Sequence, residues 1–265
     1  GKSRSANILD TLIQAKKIAE TEIKEIVLTG VNVGDFGKNY KQSFIELIQE
    51  LDKVEGIERY RISSIEPNLL TDEIINFTAK SEKFLPHFHI PLQSGSDHIL
   101  KAMRRRYNSD LFVRRINKIK SIMPDASIGA DVIVGFPGET EAQFESTLAM
   151  IRDIEFDKVH IAAYSPRENT IAIRKMPDDV SAMDKKNRVR ELEELQQGIS
   201  DKINRQLLGR TLEVLVDRKV KDKWQGRTRN DKLVFVESQE DLLGQTLKVE
   251  ISKTGPWSLQ GELTN

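Results

Sequence analysis

The chain has 265 residues, of which 31% are charged and 38% are hydrophobic. Its 41 basic and 41 acidic residues cancel, so net charge does not indicate a nucleic-acid partner. No Cys occurs, which excludes disulfides and thiolate metal sites within these residues. No apolar run is long enough to span a membrane. We therefore expect a cytoplasmic protein with one large domain, one small domain and no membrane partner.

Segments with helical and strand-like patterns alternate from the start of the chain to about residue 208. Apolar residues at three-to-four spacing predict helices at 7–20, 44–51, 71–77, 97–103, 110–122, 141–154 and 189–207. Short apolar runs predict strands at 26–28, 60–63, 87–92, 128–134 and 159–163. Strands that alternate with helices predict parallel βαβ units and an α/β fold.

Small or polar residues follow each predicted strand at its C-terminal end. They are Thr29, Gly30 and Asn32; Ser63, Ser64 and Glu66; Gln93 and Ser94; Gly135; and Tyr164, Ser165 and Arg167. Five strands that present such groups at one rim are typical of a (β/α) barrel, whereas a doubly wound sheet gathers them at one switch point. We expect residues 1–208 to form a partial barrel of this kind.

After Gly209 the pattern changes to short alternating strands separated by glycines. Apolar alternation predicts strands at 210–216, 233–236 and 246–251. Short strands at regular spacing with glycine turns predict a small antiparallel β-barrel over residues 209–265.

The strand at 128–134 runs directly into Gly135, and a helix begins after Thr140 with Gln143 as its capping-box partner. Because glycine has no Cβ, the backbone at Gly135 can approach a flat ligand closely. His87 and His89 share one face of a strand, which suits either a metal pair or, more simply, packed histidines. Glu66 suits a ribose or ammonium ligand, or alternatively an ion pair with Arg61.

Four segments considered together resemble the radical S-adenosylmethionine methylthiotransferases, which add a methylthio group to tRNA or to a ribosomal protein. The segments are RISSIEP at 61–67, HIPLQSGSDHILKAMRRRY at 89–107, IGADVIVGFPGETEAQF at 128–144 and YSPR at 164–167. The sequences GRTLEVLVD and GQTLKVEI resemble the TRAM domain that ends these enzymes. One departure is Asn169, which stands where the family has glycine.

The resemblance implies S-adenosylmethionine and [4Fe–4S] clusters as cofactors. The family holds its radical cluster with a CxxxCxxC loop, because thiolates are the ligands of such clusters. In the family the basic run GKSRS lies just after the last cluster cysteine. We therefore expect the first strand and the cluster loop to precede Gly1, and the fragment to be inactive alone. A relative that has lost its cluster is the alternative.

The resemblance and the strand-end positions also predict site residues, none of them catalytic or metal-binding. The predicted cofactor-binding residues are Thr29, Gly30, Asn32, Ser63, Glu66, Gln93, Arg105, Val134, Gly135, Tyr164 and Ser165. Basic residues interleaved with an aromatic residue on a small barrel suit RNA contacts. The predicted RNA-binding residues are Arg218, Lys219, Lys221, Lys223, Trp224, Arg227 and Arg229.

The sequences LTGVNVGDFG and IPLQSGSD resemble the branch of the family that acts on tRNA N6-threonylcarbamoyladenosine. The implied partner is the tRNA anticodon stem-loop, and the implied reaction adds a methylthio group at C2 of the adenine. Branches that act on isopentenyl-adenosine or on a ribosomal protein remain alternatives. So do a cofactor-free RNA-binding protein on a degenerate barrel and a metal- or phosphate-dependent barrel enzyme.

Overall fold

The computed structural model describes residues 5–168 and 170–264, so Asn169 and the basic residues at 2–4 lie outside the described part. The first domain contains five parallel strands. They are β1 Glu25–Leu28, β2 Arg59–Ile62, β3 His87–His89, β4 Ser127–Val134 and β5 Lys158–Ala163. The strands lie side by side in chain order, with β2 and β3 joined by bridges at Tyr60–Phe84 and Ser64–His89.

One helix precedes β1, helices connect each strand to the next, and two helices follow β5. They are α1 Ile8–Ala19, α2 Phe44–Asp52, α3 Asp72–Lys80, α4 Asp97–Ala102, α5 Ser109–Ile122, α6 Glu141–Ile154, α7 Ile171–Lys175 and α8 Ala182–Arg205. Side-chain caps begin most of them; the predicted capping box of Thr140 and Gln143 is present at α6. Within residues 5–168 and 170–264, no strand joins β5 back to β1. The predicted partial (β/α) barrel is therefore confirmed.

Alternate residues of the strands point to opposite faces of this sheet. Ile128, Ala130, Val132 and Val134 are buried in one core with residues of the surrounding helices. The intervening residues lie on the opposite side of the sheet, which we call the inner face. It carries Glu25 and Val27 of β1, Arg59 and Arg61 of β2, His87 and His89 of β3, Ser127, Gly129 and Asp131 of β4, and Lys158 and His160 of β5. A polar inner face distinguishes this barrel from one that is filled by apolar side chains.

The second domain is a closed five-stranded barrel. Its strands are β6 Thr211–Val220, β7 Lys223–Thr228, β8 Leu233–Glu237, β9 Thr246–Thr254 and β10 Leu259–Leu263, in the spatial order β10-β8-β7-β6-β9. The predicted barrel is present, but its pairing is antiparallel except between β8 and β10, which run parallel. The sequence prediction missed β7 and β10, because glycine interrupts their apolar alternation at Gly226 and Gly261. Glycine is required there, since an added Cβ would meet neighbouring backbone.

The two domains meet at the N-terminal ends of strands β2 to β5. We call this contact region the domain junction. Arg59 is almost fully buried and pairs with Glu213 at 2.8 Å. Arg61 lies 3.3 Å from Asp231, and Lys232 pairs with Asp157 at 2.6 Å. The second barrel is thus attached to the first largely through charged side chains.

No helix in the described part of the chain is long and apolar enough to cross a membrane.

Candidate functional site

Three of the predicted cofactor residues meet at the C-terminal ends of β1 and β2. The Asn32 side-chain oxygen accepts a hydrogen bond from the backbone N–H of Glu66 at 3.4 Å. Arg105 donates to the Glu66 carboxylate at 3.3 Å. Arg61 pairs instead with Glu25 at 2.8 Å, so the alternative pairing of Glu66 with Arg61 is wrong. The charged pair of Glu66 and Arg105 therefore remains available at the rim.

Arg105 reaches this rim because the chain turns sharply after α4. Arg104 adopts a left-handed conformation with φ of 60°, and the Arg105 N–H returns to the carbonyl of Leu100. The Tyr107 hydroxyl donates to the carbonyl of Pro91 at 2.8 Å and anchors the end of the turn. Local backbone geometry and one buried tyrosine thus fix the direction of the arginine.

Several polar atoms at this rim are buried and have no partner among the described residues. They include Ser63 Oγ and Arg105 Nε. A buried polar atom without a partner costs about 1–3 kcal/mol, so such atoms mark places where a ligand can bind. The methionyl end of S-adenosylmethionine carries an ammonium group and a carboxylate. Glu66 can accept from the ammonium and Arg105 can donate to the carboxylate, so these residues fit the cofactor chemically.

Gln93 follows β3 and adopts φ of 66°, which is uncommon for a residue with a side chain. Its N–H donates to the carbonyl of Asp131 at 2.7 Å, and its carbonyl accepts from Ile133. The residue is buried. The strained backbone is therefore held on both sides by β4, which is a feature of functional sites.

Thr29 and Gly30 lie exposed at the end of β1. They line a cavity of about 920 Å³ between β1, α1 and α2, which Asn32 also lines. Most of its lining is apolar, and Val27 on β1 is 47% exposed. This cavity runs along the edge of β1 that has no neighbouring strand among residues 5–168 and 170–264.

The space that a Cβ would occupy at Gly135 is not open to a flat ligand, which removes the reason for expecting a close approach there. The contact of Val134 and Gly135 with the cofactor stays a prediction. The Val134 side chain is fully buried in the core beneath the helices. A Cβ at Gly135 would collide with Cγ of Lys185, a residue of α8. The space that the missing Cβ leaves is filled by the alkyl stem of this lysine. Gly135 also has φ of 68°, so the turn itself requires glycine.

Tyr164 belongs to the same structural cluster. Its ring meets the edge of Phe136 at 5.2 Å between centroids, and the Lys185 ammonium lies 5.3 Å above it. Ser165 is exposed beyond this contact. Among the predicted residues, Asn32, Glu66 and Arg105 are thus in contact at the rim, whereas Val134, Gly135 and Tyr164 pack on the α8 side.

The sequence prediction missed two polar residues of the inner face, Asp131 and His160. His89 Nε2 lies 2.9 Å from Asp131 Oδ2, and the His89 and His160 rings are 5.7 Å apart. Burial alone would raise the pKa of Asp131, but its hydrogen bond and charge interaction with His89 lower that pKa. A single acidic residue inside the apolar strand 128–134 was the signal that could have found this pair.

His87 is partly buried at the domain junction, where desolvation lowers its pKa to about 4. Its Nδ1 lies 3.4 Å from Ser127 Oγ, and its Nε2 lies 3.9 Å from Asp231. Within the described ranges, no three metal-ligating side chains come together. His87 and His89 therefore have separate protein partners.

Most of the predicted RNA-binding cations have acidic partners. Arg218 pairs with Asp217, Lys223 with Glu237 and Arg227 with Asp231, at distances of 2.9 to 3.1 Å. Arg229 donates to the carbonyl of Glu82 across the domain junction. Lys219 lies over the ring of Trp224 at 5.0 Å, and Lys221 occupies the tight turn between β6 and β7.

Trp224 does not present its ring to solvent, contrary to the sequence prediction. It is only 6% exposed and packs with Val216 and Leu242. The exposed tryptophan of this domain is Trp257, which is 57% exposed and lies in the turn between β9 and β10. The sequence prediction missed it because it considered only the basic segment at 218–232.

Two family models match the chain. The model of the radical SAM superfamily matches residues 1–151, and the TRAM domain model matches residues 205–264. These matches correspond to the partial barrel and to the small closed barrel.

Similar proteins include two bacterial enzymes named tRNA-2-methylthio-N(6)-dimethylallyladenosine synthase. The one from Dehalococcoides mccartyi strain CBDB1 is 39% identical over 267 residues, covering 100% of this chain and 64% of the relative. The one from Acetivibrio thermocellus is 40% identical, covering 99% of this chain and 56% of the relative. The chain thus spans less than two thirds of the length of these relatives.

A solved structure with a similar fold is coproporphyrinogen III oxidase from Escherichia coli, described as a radical SAM enzyme. It superposes with a TM-score of 0.57 at 13% identity, over 92% of this chain and 60% of the other.

Proposed function

The chain belongs to the radical SAM superfamily, and from this premise we propose that it is part of a tRNA methylthiotransferase. The partial barrel would bind S-adenosylmethionine, and the TRAM domain would bind the tRNA. The names of the relatives and the family resemblance of the strand-end segments support the same activity.

The contact of Asn32, Glu66 and Arg105 is the observation that carries the cofactor proposal. It joins a carboxylate and a guanidinium at the strand ends, beside buried polar atoms that have no protein partner. Bound there, S-adenosylmethionine supplies the methyl group and the radical that the reaction needs. Glu66 and Arg105 would orient its methionyl end.

The chain does not fit an iron–sulfur cluster, because none of its 265 residues is Cys. We propose that the cluster ligands lie outside these 265 residues. The cavity along β1 supports a further strand at this edge, because exposed Val27 and the unpaired side of β1 both suit β-pairing.

For the substrate, we propose C2 of N6-threonylcarbamoyladenosine in the tRNA anticodon stem-loop. The threonylcarbamoyl group carries a carboxylate, which suits a polar inner face, whereas a dimethylallyl group needs an apolar pocket. The segments LTGVNVGDFG and IPLQSGSD also favour this branch. The names of the relatives favour N6-dimethylallyladenosine as the second candidate.

Reaction of the natural full-length protein, anaerobically loaded with clusters, tests the activity. We expect mass spectrometry of digested tRNA to detect the methylthio derivative of threonylcarbamoyladenosine. The methylthio derivative of dimethylallyladenosine alone would establish the second candidate. RNA binding without any methylthio product would support the non-catalytic RNA-binding alternative.

Replacement of Arg105 tests the cofactor site in the same protein. Loss of one charge-assisted hydrogen bond of about 1.5–3 kcal/mol predicts S-adenosylmethionine binding about 10- to 150-fold weaker in Arg105→Ala, measured by equilibrium dialysis. Arg106→Ala is the matched control, because Arg106 is exposed one residue further along. Equal affinities of both variants would remove Arg105 from the site.

A further inference from the structure

A cleft of about 350 Å³ lies at the domain junction, between the inner face and the second barrel. Its inner-face side is lined by His87, His89, Lys158 and His160, and its other side by the turns around Asp231 and Trp257. We call it the junction cleft. It is separate from the rim formed by Asn32, Glu66 and Arg105, because it lies at the opposite ends of the strands.

Trp257 is presented to this cleft on a fixed turn. The N–H of Gly255 donates to the carbonyl of Ser258 at 3.0 Å. The side-chain amide of Asn204, at the end of α8, donates to the carbonyls of Gly255 and Pro256 at 2.8 and 3.2 Å. The fold therefore holds the turn from within while it leaves the indole 57% exposed. A rigid exposed aromatic ring is a feature of recognition surfaces.

The charges of the cleft leave one cation available. Lys232 pairs with Asp157 and Arg227 pairs with Asp231, so these four side chains neutralise one another. Lys158 is exposed and has no acidic partner among the described residues. An available cation and an exposed indole that line the same cleft suit a ligand with both a phosphate and an aromatic ring.

The cleft also contains groups that can recognise the edge of a base. Asn204 is buried, and its side-chain oxygen has no hydrogen-bond donor within residues 5–168 and 170–264. His160 is exposed in the cleft, and desolvation and the nearby Lys158 lower its pKa, so its ring is neutral at pH 7. A neutral imidazole both donates and accepts a hydrogen bond.

We propose that the junction cleft binds one unpaired nucleotide of an RNA strand, with its base stacked on Trp257 and its phosphate near Lys158. This proposal rests on the proposed function, in that the RNA is the tRNA substrate. The volume is at the low end of the range for small-ligand pockets, about 300–1,000 Å³, which suits a single nucleotide and excludes a duplex. The polar lining disfavours an apolar peptide.

Binding of fluorescein-labelled RNA to the 265-residue chain tests the proposal. The probe is a hairpin with a seven-nucleotide single-stranded loop, measured by fluorescence anisotropy. Base stacking on an aromatic ring predicts that Trp257→Ala weakens binding about 5- to 150-fold, whereas Trp257→Phe retains most of the affinity. Leu243→Ala is the matched control, since Leu243 is 60% exposed in the same domain and does not line the cleft.

Two further arms identify the ligand. Lys158→Ala should reduce the slope of log K against log salt by about 0.7, the value for one phosphate of a single strand. Adenosine 5′-monophosphate should bind much more weakly than the hairpin. Equal binding of the mononucleotide would make this a free-nucleotide site and would overturn the RNA proposal.

The outcomes separate this inference from the proposed function. If the parent chain binds the hairpin and Trp257→Ala binds it equally well, the cleft is not the nucleotide site and the proposed function stands. If the parent chain binds no RNA, this inference is wrong, and the proposed function is decided by the methylthio product of the full-length protein. The unfolding midpoint temperatures of Trp257→Ala and Trp257→Phe are measured as well. Midpoints equal to that of the parent chain show that lost binding does not reflect lost folding.

Discussion

Lys185 makes three contacts of different chemistry. Its alkyl stem fills the space beside Gly135, its ammonium pairs with Asp178, and the same ammonium lies over the ring of Tyr164. Burial of a long stem with a satisfied charged end is favourable, because the methylene groups pack while the charge keeps a partner. The strand-to-helix turn at Gly135 is thus stabilised by a residue fifty positions further along the chain.

Glycine is required at this turn for two reasons, the positive φ and the lack of space for a Cβ. Substitutions at two glycines separate these reasons. Gly135 and Gly138 both have positive φ, of 68° and 81°, but only Gly138 has no atom within 4 Å of an added Cβ. Gly138→Ala should cost about 1–2 kcal/mol from backbone strain alone. Gly135→Ala should cost about 2–5 kcal/mol, since the clash with Lys185 adds to the strain. Urea unfolding measures both, and equal costs would show that Lys185 moves aside freely.

His87 makes stability depend on pH. Its folded-state pKa is lowered from 6.5 to about 4 by burial, so the folded protein favours the neutral ring. Its contribution is therefore complete above pH 6.5 and is lost as pH falls toward 4. Asp231, Arg61, His89, Asp157 and Ser127 are the polar groups that face it.

We expect the parent chain to lose about 3 kcal/mol more than His87→Gln between pH 7.5 and pH 3.5. Urea unfolding across this range gives the measurement. His98→Gln is the control, because His98 is exposed on α4. Parallel pH profiles for the parent chain and His87→Gln would assign the acid sensitivity to other groups.

The strands and helices of the first domain agree closely with the sequence prediction, and those of the second domain agree less well. Each predicted strand and helix of residues 7–163 is present, because its apolar residues face one core at the expected period. In β7 the inward positions are Trp224, Gly226 and Thr228, so the inward face is not uniformly apolar. Apolar alternation cannot detect such a strand, since barrel curvature rather than burial selects its glycine.

The sequence could predict only those parts of the candidate site whose positions depend on nearby residues in the chain. Asn32, Glu66 and Arg105 follow strands or a helix end, and the parallel topology brings such ends together. The surroundings of Gly135 and Trp224 could not be predicted, because distant segments determine them, namely Lys185 of α8 and the small core with Leu242. The sequence around Trp257 does not indicate a binding residue. Its exposed position depends on Asn204 and on the domain junction, which only the structure shows.

At the scale of the molecule, charged side chains join the two barrels. Arg59 is 1% exposed, and burial lowers its pKa even though Glu213 and Glu25 oppose that shift. Its guanidinium contacts Glu213 at 2.8 Å and the carbonyl of Arg227 at 3.2 Å. Removal of one member of a buried pair is costly because the other charge stays buried without its partner.

Glu213→Gln should therefore destabilise the chain by about 2–3 kcal/mol, somewhat less than for an isolated buried pair because Glu25 lies 3.9 Å from Arg59. Glu237→Gln is the matched control. Glu237 pairs with Lys223 at the exposed surface, where a pair contributes about 0–1 kcal/mol. Urea unfolding at pH 7 compares them; indistinguishable stabilities would mean that the junction tolerates an unpaired Arg59.

The length of α8 sets a spacing between two parts of the molecule. Lys185, near its first turn, packs on Gly135 at the C-terminal end of β4, and Asn204, near its last turn, holds the turn that bears Trp257. At 1.5 Å per residue these side chains are about 28 Å apart along the helix axis. A nucleotide stacked on Trp257 and an adenosine at the strand ends would then be two different nucleotides, because on the order of 28 Å of helix separates the two ends. A substrate shorter than that span could occupy one end or the other, but never both at once.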